Sequence, residues 1–279
     1  MVILSSIFFF FFSFLLKVSA ANNHNSSLVN TYSMFSCSII GLGIFLLSIN
    51  NYNPLWLLFL ISLGNAIFYF IAIVTRIEGL RNIDTTIYFP LYKTFGPILM
   101  VFVGIIFFAD NLTYSEYFGV FLGILIPLLL IHNKEKKRQK NLKLGLIYLV
   151  LGIIFGVSSS TMGKLITYNN LNIFLFIFIS FFLGGLISLY AYKKTRNNSK
   201  NNSLNKIKRT GWFNGLLLFL SVYFFTKSTI GSNLGVVYTI NSFSLLIPII
   251  LSIIFYKEHF DTKKGIAIAP TILSLIFLK

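Results

Sequence analysis

Apolar runs long enough to cross a bilayer follow one another along this chain almost without interruption, and that leaves little choice of fold. A helix needs about 20 apolar residues to cross about 30 Å of hydrocarbon. Such runs lie near residues 2–18, 33–50, 54–75, 85–108, 115–132, 143–164, 171–192, 211–231, 234–256 and 264–278, and no extramembrane domain fits between them. Hydrophobic residues make up 56% of the chain and charged residues 11%, with a mean hydropathy of +0.82, which excludes a soluble single-core domain. The expected fold class is an all-α membrane protein with ten transmembrane helices.

The chain also repeats itself. In the first half PILMVFVGIIFFADNLT (97–113) breaks at Asp110, and in the second LLIPIILSIIFYKEHFD (245–261) breaks at Glu258. The breaks are 148 residues apart, and the same offset carries Thr94 onto Ser242 and Phe95 onto Phe243. Lys17 and Lys164, each closing an apolar run, agree to within one residue. The expected organisation is a first five-helix repeat (1–133), a basic linker (134–142) and a second five-helix repeat (143–279). An odd number of helices per repeat makes the second copy enter the membrane from the opposite side, so the repeats are inverted, as in many secondary transporters.

A net charge of +16 would suggest nucleic acid in a soluble protein, but here the basic residues sit in loops beside apolar runs and report orientation. Lys134–Lys143 carries six Lys/Arg and Lys193–Arg209 carries seven. With Lys17, Arg76, Arg81, Lys257, Lys263 and Lys264, nineteen of twenty-three basic residues fall on one side, expected to be cytoplasmic in the cell membrane, with both termini external. Residues 1–20 end in Val18-Ser19-Ala20, a signal-like site, but no basic residue precedes the apolar run, and the repeat needs this helix. Asn-rich stretches and formal sequons, Asn25 among them, follow from codon bias and carry no functional reading. Four-residue spacings of small residues, Gly152/Gly156, Gly119/Gly123 and Ser180/Gly184/Ser188, are read as close helix packing.

An apolar helix with Pro97 near its start, Asp110 thirteen residues on, then NLTYSEYFG to Gly119 and Gly123, resembles the EamA-type repeat of the drug/metabolite transporter superfamily. The second copy keeps Ser244 and Glu258 but has Leu245 where the proline would fall, with Pro248 three residues on, and Ala267 in place of a glycine. The resemblance implies a ten-helix transporter whose cavity is lined by the first, third, fourth, sixth, eighth and ninth helices. It also implies cytoplasmic termini, opposite to the lysine count.

Lys93 is the one ionisable residue that the predicted helix boundaries place well inside the membrane, where a charge is costly unless it faces a cavity or finds a partner. Snorkelling to the interface is the alternative. The offset maps Lys93 onto Asn241, so the fourth and ninth helices carry polar groups at matched positions. Tyr92, Tyr238 and Ser242 flank this pair, while Asn65 and Asn214, 149 residues apart, place amides in the third and eighth helices. These seven residues form the candidate substrate-binding set. Tyr69, Tyr88 and residues 158–161 of the sixth helix are further candidates, or simple interhelical hydrogen bonds. Pro97 and Pro248 are candidate hinges, because proline removes a helical hydrogen bond.

All seven acidic residues fall at helix ends or in loops, so no mid-membrane carboxylate is available to carry a proton. Asp110 and Glu258 are expected to fix helix depth and to bind nearby lysines. Three scattered histidines, a lone Cys37 and no phosphate-binding loop leave no metal site, nucleophile or ATP coupling, and no catalytic residue or cofactor is expected. The expected function is transport of a small polar metabolite, an amino acid or an organic anion, by alternating access. Alternatives are a membrane enzyme acting on lipids and a non-transporting structural subunit. The expected partners are the solute and the lipid bilayer, with no nucleic acid; a homodimer is compatible with the architecture.

Overall fold

The computed structural model describes residues 1–22, 24–48, 55–83, 85–129, 141–195, 204–246, 273, 274, 276 and 277. Among these the regular structure is helical: α1 (Val2–Ala21), α2 (Ser26–Leu47), α3 (Leu55–Asn82), α4 (Thr85–Phe108), α5 (Tyr114–Leu129), α6 (Leu142–Tyr168), α7 (Ile173–Thr195), α8 (Leu204–Ser228) and α9 (Leu234–Ser242), which tightens into a 3₁₀ turn at Phe243–Leu246. Six described segments are long and apolar enough to cross a membrane: Val2–Ala21, Ser26–Leu47, Leu55–Asn82, Tyr88–Phe108, Leu142–Tyr168 and Ile173–Lys194. The predicted tenth helix and Pro248 lie largely or wholly outside the described residues.

The polarity of the bundle is inverted relative to a water-soluble protein. Phe11, Phe59, Phe102, Ile106 and Val150 face outward, while Asn30, Asn65, Lys93, Asn214 and Asn241 are buried. Lipid is as apolar as leucine, so helix association here rests on packing and interhelical hydrogen bonds. Ser188 Oγ donates to the carbonyl of Ser27 at 2.6 Å, Ser38 Oγ to that of Phe178 at 3.1 Å, and Ser36 Oγ to that of Trp212 at 2.9 Å. The small-residue spacings sit where the packing reading puts them, with Gly123 against Thr239, Gly184 against Met34, and Gly152 against Thr75 and Tyr88.

Packing partners exchange in pairs. Helix α3 packs on α6 as α8 packs on α1, and α2 packs on α8 as α7 packs on α3. Helices α2 with α7 and α4 with α9 pair across the middle. The helix ends follow the same rule. Asn25 Oδ1 accepts from the Leu28 N–H to cap α2, and Asn172 Oδ1 accepts from Leu175 N–H at the start of α7. Lys17 Nζ donates to the carbonyl of Leu80 near the end of α3, and Lys164 Nζ to those of Thr229 and Ser232 just beyond α8. A cation there offsets the partial negative charge of unpaired carbonyls. Asn25 and Asn172 therefore have a physical role that codon bias does not supply, since an asparagine cap contributes about 1 kcal/mol.

Three boundaries move by seven residues from the sequence reading, one of them the start of α8, at Leu204 rather than 211. Helix α2 starts at Ser26 rather than 33, because the Asn25 cap lets a polar turn join the helix. Helix α3 runs to Asn82 rather than 75, and this takes Arg76 out of the loop where the orientation count had placed it. The break at Asp110 is also local geometry. Ala109 adopts a left-handed conformation (φ 51°), and the Asp110 N–H returns to the carbonyl of Gly104 at 3.0 Å. The Asp110 Oδ2 then accepts the N–H of Leu234 at 2.6 Å and so caps α9, while its charge also acts on nearby Lys164.

Candidate substrate-binding site

At the centre of the bundle lies a cavity of about 70 Å³ lined by α1, α3, α4, α6, α8 and α9, the six helices that the family resemblance implies. Helix α7 adds Phe176 and Phe181. Four of the seven candidate residues reach its wall: Asn65, Tyr92, Tyr238 and Asn241.

Lys93 lies just behind that wall. It is 4% exposed, and its Nζ donates to the backbone carbonyl of Asn241 at 3.2 Å, so the two residues matched by the repeat offset meet in space. The ammonium also sits 4.4 Å from the centroid of the Phe9 ring, which itself lines the cavity. It does not snorkel. Pro97 has no N–H for the Lys93 carbonyl, while Thr94 Oγ1 bonds back to the Pro90 carbonyl at 2.9 Å, so α4 is loosened where the lysine leaves it. Across from it, α9 narrows to 3₁₀ geometry directly after Ser242.

Ser242 and Asn214 are placed elsewhere. Ser242 Oγ turns back to the carbonyl of Thr239 at 2.6 Å. Asn214 is 0% exposed and lies two helical turns below Ser221, the first of four α8 residues (Ser221, Val222, Phe225 and Thr226) that line the cavity. Neither polar atom of its side chain has a hydrogen-bond partner. Asn65, by contrast, accepts the Ser159 hydroxyl at 2.6 Å and faces the cavity. Of the serine run in α6, Ser159 and Ser160 line the cavity, while Ser158 and Thr161 satisfy carbonyls of their own helix.

The residue that sequence reasoning missed is Arg76. It is 5% exposed and lines the cavity, with Nη2 donating to Tyr92 Oη at 2.6 Å. Its guanidinium lies 4.7 Å from the Tyr92 ring centroid and 5.1 Å from that of Phe9. Tyr92 reaches it because Gly156 on α6 has no side chain: a Cβ there would overlap the Tyr92 hydroxyl. Lys93 and Arg76 thus share one ring, and the gap between them cannot exceed the sum of their two distances from it. At a separation of about 10 Å and an effective dielectric of about 20, two like charges repel by about 2 kcal/mol. Neither has a carboxylate partner among the described residues, where the ion pair found is Arg81 with Glu78, at 2.5 Å on the last turns of α3. The signal that could have found Arg76 was its spacing of eleven residues, about three turns, from Asn65 on one helix face.

Comparison with known proteins agrees with this architecture. Residues 143–279 match the model of the EamA-like transporter family. The chain carries an EamA-like transporter domain. That family is one of membrane transporters, and together with the apolar helices the match makes this a multi-pass integral membrane protein. No curated protein sequence matches the chain. Solved structures do, in 28 chains. One crystal structure, whose description names no function, superimposes with a TM-score of 0.72 over 98% of this chain and 97% of its own length. At 10% identity that likeness concerns the fold alone, and it extends beyond the EamA-like domain to nearly the whole chain.

Proposed function

We propose that this protein is a carrier that moves a small polar metabolite, an amino acid or an organic anion, by alternating access between two inverted five-helix repeats, 1–133 and 143–279. The observation that carries the reading is the buried Lys93 ammonium on the Asn241 carbonyl, beside a largely apolar cavity whose wall carries a few polar groups from α3, α4, α6, α8 and α9. A buried cation without a carboxylate partner is costly unless a cavity or a ligand compensates it, which an anionic group does. Pairwise exchange of helix contacts, matched asparagine caps and matched lysines at helix ends support the inverted repeat. The family match begins at residue 143, where the second repeat is expected to start.

In this reading Tyr92, Tyr238, Asn65 and Asn241 contact the solute, and α4 and α9 bend at Pro97 and at the 3₁₀ turn. Basic loops face the cytoplasm and both termini face outward. Purified protein in liposomes, offered a metabolite panel with and without a proton gradient, tests the function. Flux of an anionic or zwitterionic solute that Lys93→Ala abolishes supports it, and absence of flux for every solute overturns it. A membrane-impermeant label tests the orientation: reaction with the 193–209 loop in intact cells overturns the external termini.

A further inference from the structure

The cavity's charge says more about the cargo than the carrier reading on which this inference rests. We infer that the solute is a small dianion, with Arg76 and Lys93 as its two positive poles, rather than a zwitterion such as an amino acid. Arg76 has five N–H donors and places one on Tyr92, with the Tyr88 hydroxyl also beside the guanidinium; Lys93 has three and uses one, on the Asn241 carbonyl. Arg76 lines the cavity directly, and Lys93 shares the Phe9 ring with it. The neutral groups lean the same way. Because Ser159 donates to Asn65 Oδ1, Asn65 keeps its N–H groups for a ligand.

Charge balance then separates the classes. A monoanion leaves one cation uncompensated. A zwitterion compensates one cation and sets its own ammonium beside the other, with no carboxylate among the described cavity-lining residues to receive it. A dianion compensates both and removes their mutual repulsion. Phe176, Phe181 and Phe225 line the same cavity with rings, which suits a short apolar body. Two carboxylates or one phosphoryl group supply this chemistry.

The test uses the full-length protein in detergent at neutral pH and low salt, with binding read by calorimetry. The probes are succinate, butyrate and γ-aminobutyrate, which share a four-carbon skeleton and differ in charge, together with inorganic phosphate. Succinate or phosphate should bind at least about tenfold tighter than the other two, and the stronger of them tells whether the charge is spread or concentrated. Arg76→Gln and Lys93→Gln should each bring the ratio of succinate to butyrate affinity to within about threefold. If Arg76→Gln does not fold, Tyr92→Phe, which removes only the hydroxyl holding the guanidinium, should still weaken dianion binding. Butyrate or γ-aminobutyrate binding as tightly as the dianions overturns the inference and leaves the carrier reading intact. Binding of neither dianion, with flux of some other panel solute in liposomes, does the same. Absence of both binding and flux brings down both.

Discussion

Replacing Arg76 by methionine keeps an unbranched stem, two atoms shorter, and removes the charge, and the two consequences should separate. On the stability side, the variant loses a charged hydrogen bond to Tyr92, about 1.5–3 kcal/mol, and cation–π contact with Phe9 and Tyr92, about 1 kcal/mol. It gains relief of about 2 kcal/mol of repulsion from Lys93 and of about 3 kcal/mol for holding a cation in the membrane. The gains exceed the losses by about 1–2.5 kcal/mol, so the unfolding midpoint in detergent should rise, by no more than about 5 °C. Anion binding has no such compensation, because one of its two anchors is gone, and uptake into liposomes should fall by at least about tenfold. An unfolding midpoint lowered by more than about 10 °C, with anion binding unchanged in the folded fraction, would mean that Arg76 is a strut and refute the reasoning.

Gly156→Ala should act at a distance of one side chain: its Cβ pushes the Tyr92 hydroxyl off Arg76, so transport drops several-fold while the helical circular dichroism spectrum is kept. Asp110→Ala removes the carboxylate that caps α9 and should destabilise the protein by about 1 kcal/mol, read as a lower unfolding midpoint. It should also speed labelling of a cysteine introduced at the exposed position 230, with the buried Cys37 contributing little background. His24, in the turn between α1 and α2, is held below its usual pKa of 6.5 by burial and by Arg81 and Lys206. The unfolded chain therefore binds a proton below about pH 6.5 that the folded one refuses, so stability is full above that pH and declines as pH falls further. His24→Gln should flatten that decline in unfolding curves recorded at stepwise lower pH.

The helical membrane class, the position of most helices and the relation of Lys93 to Asn241 were legible in one dimension. Hydrophobic run length is a local property, and a repeat offset survives as a difference between residue numbers. Arg76 was not legible, because a charged residue at the end of an apolar run reads as the start of a loop. Whether the helix continues past it depends on what packs there. Phe9 from α1 and Tyr92 from α4 receive the guanidinium, and Gly156 on α6 makes room for Tyr92. Asn65 and Asn214 make the same point, since matched positions on matched helices end in different surroundings. Ser159 and the cavity meet one, while the other is buried two turns below it. Periodicity and spacing say which side chains can face inward along each helix. Which of them share a cavity is decided by how helices distant in sequence cross, and that is a property of the packed bundle alone.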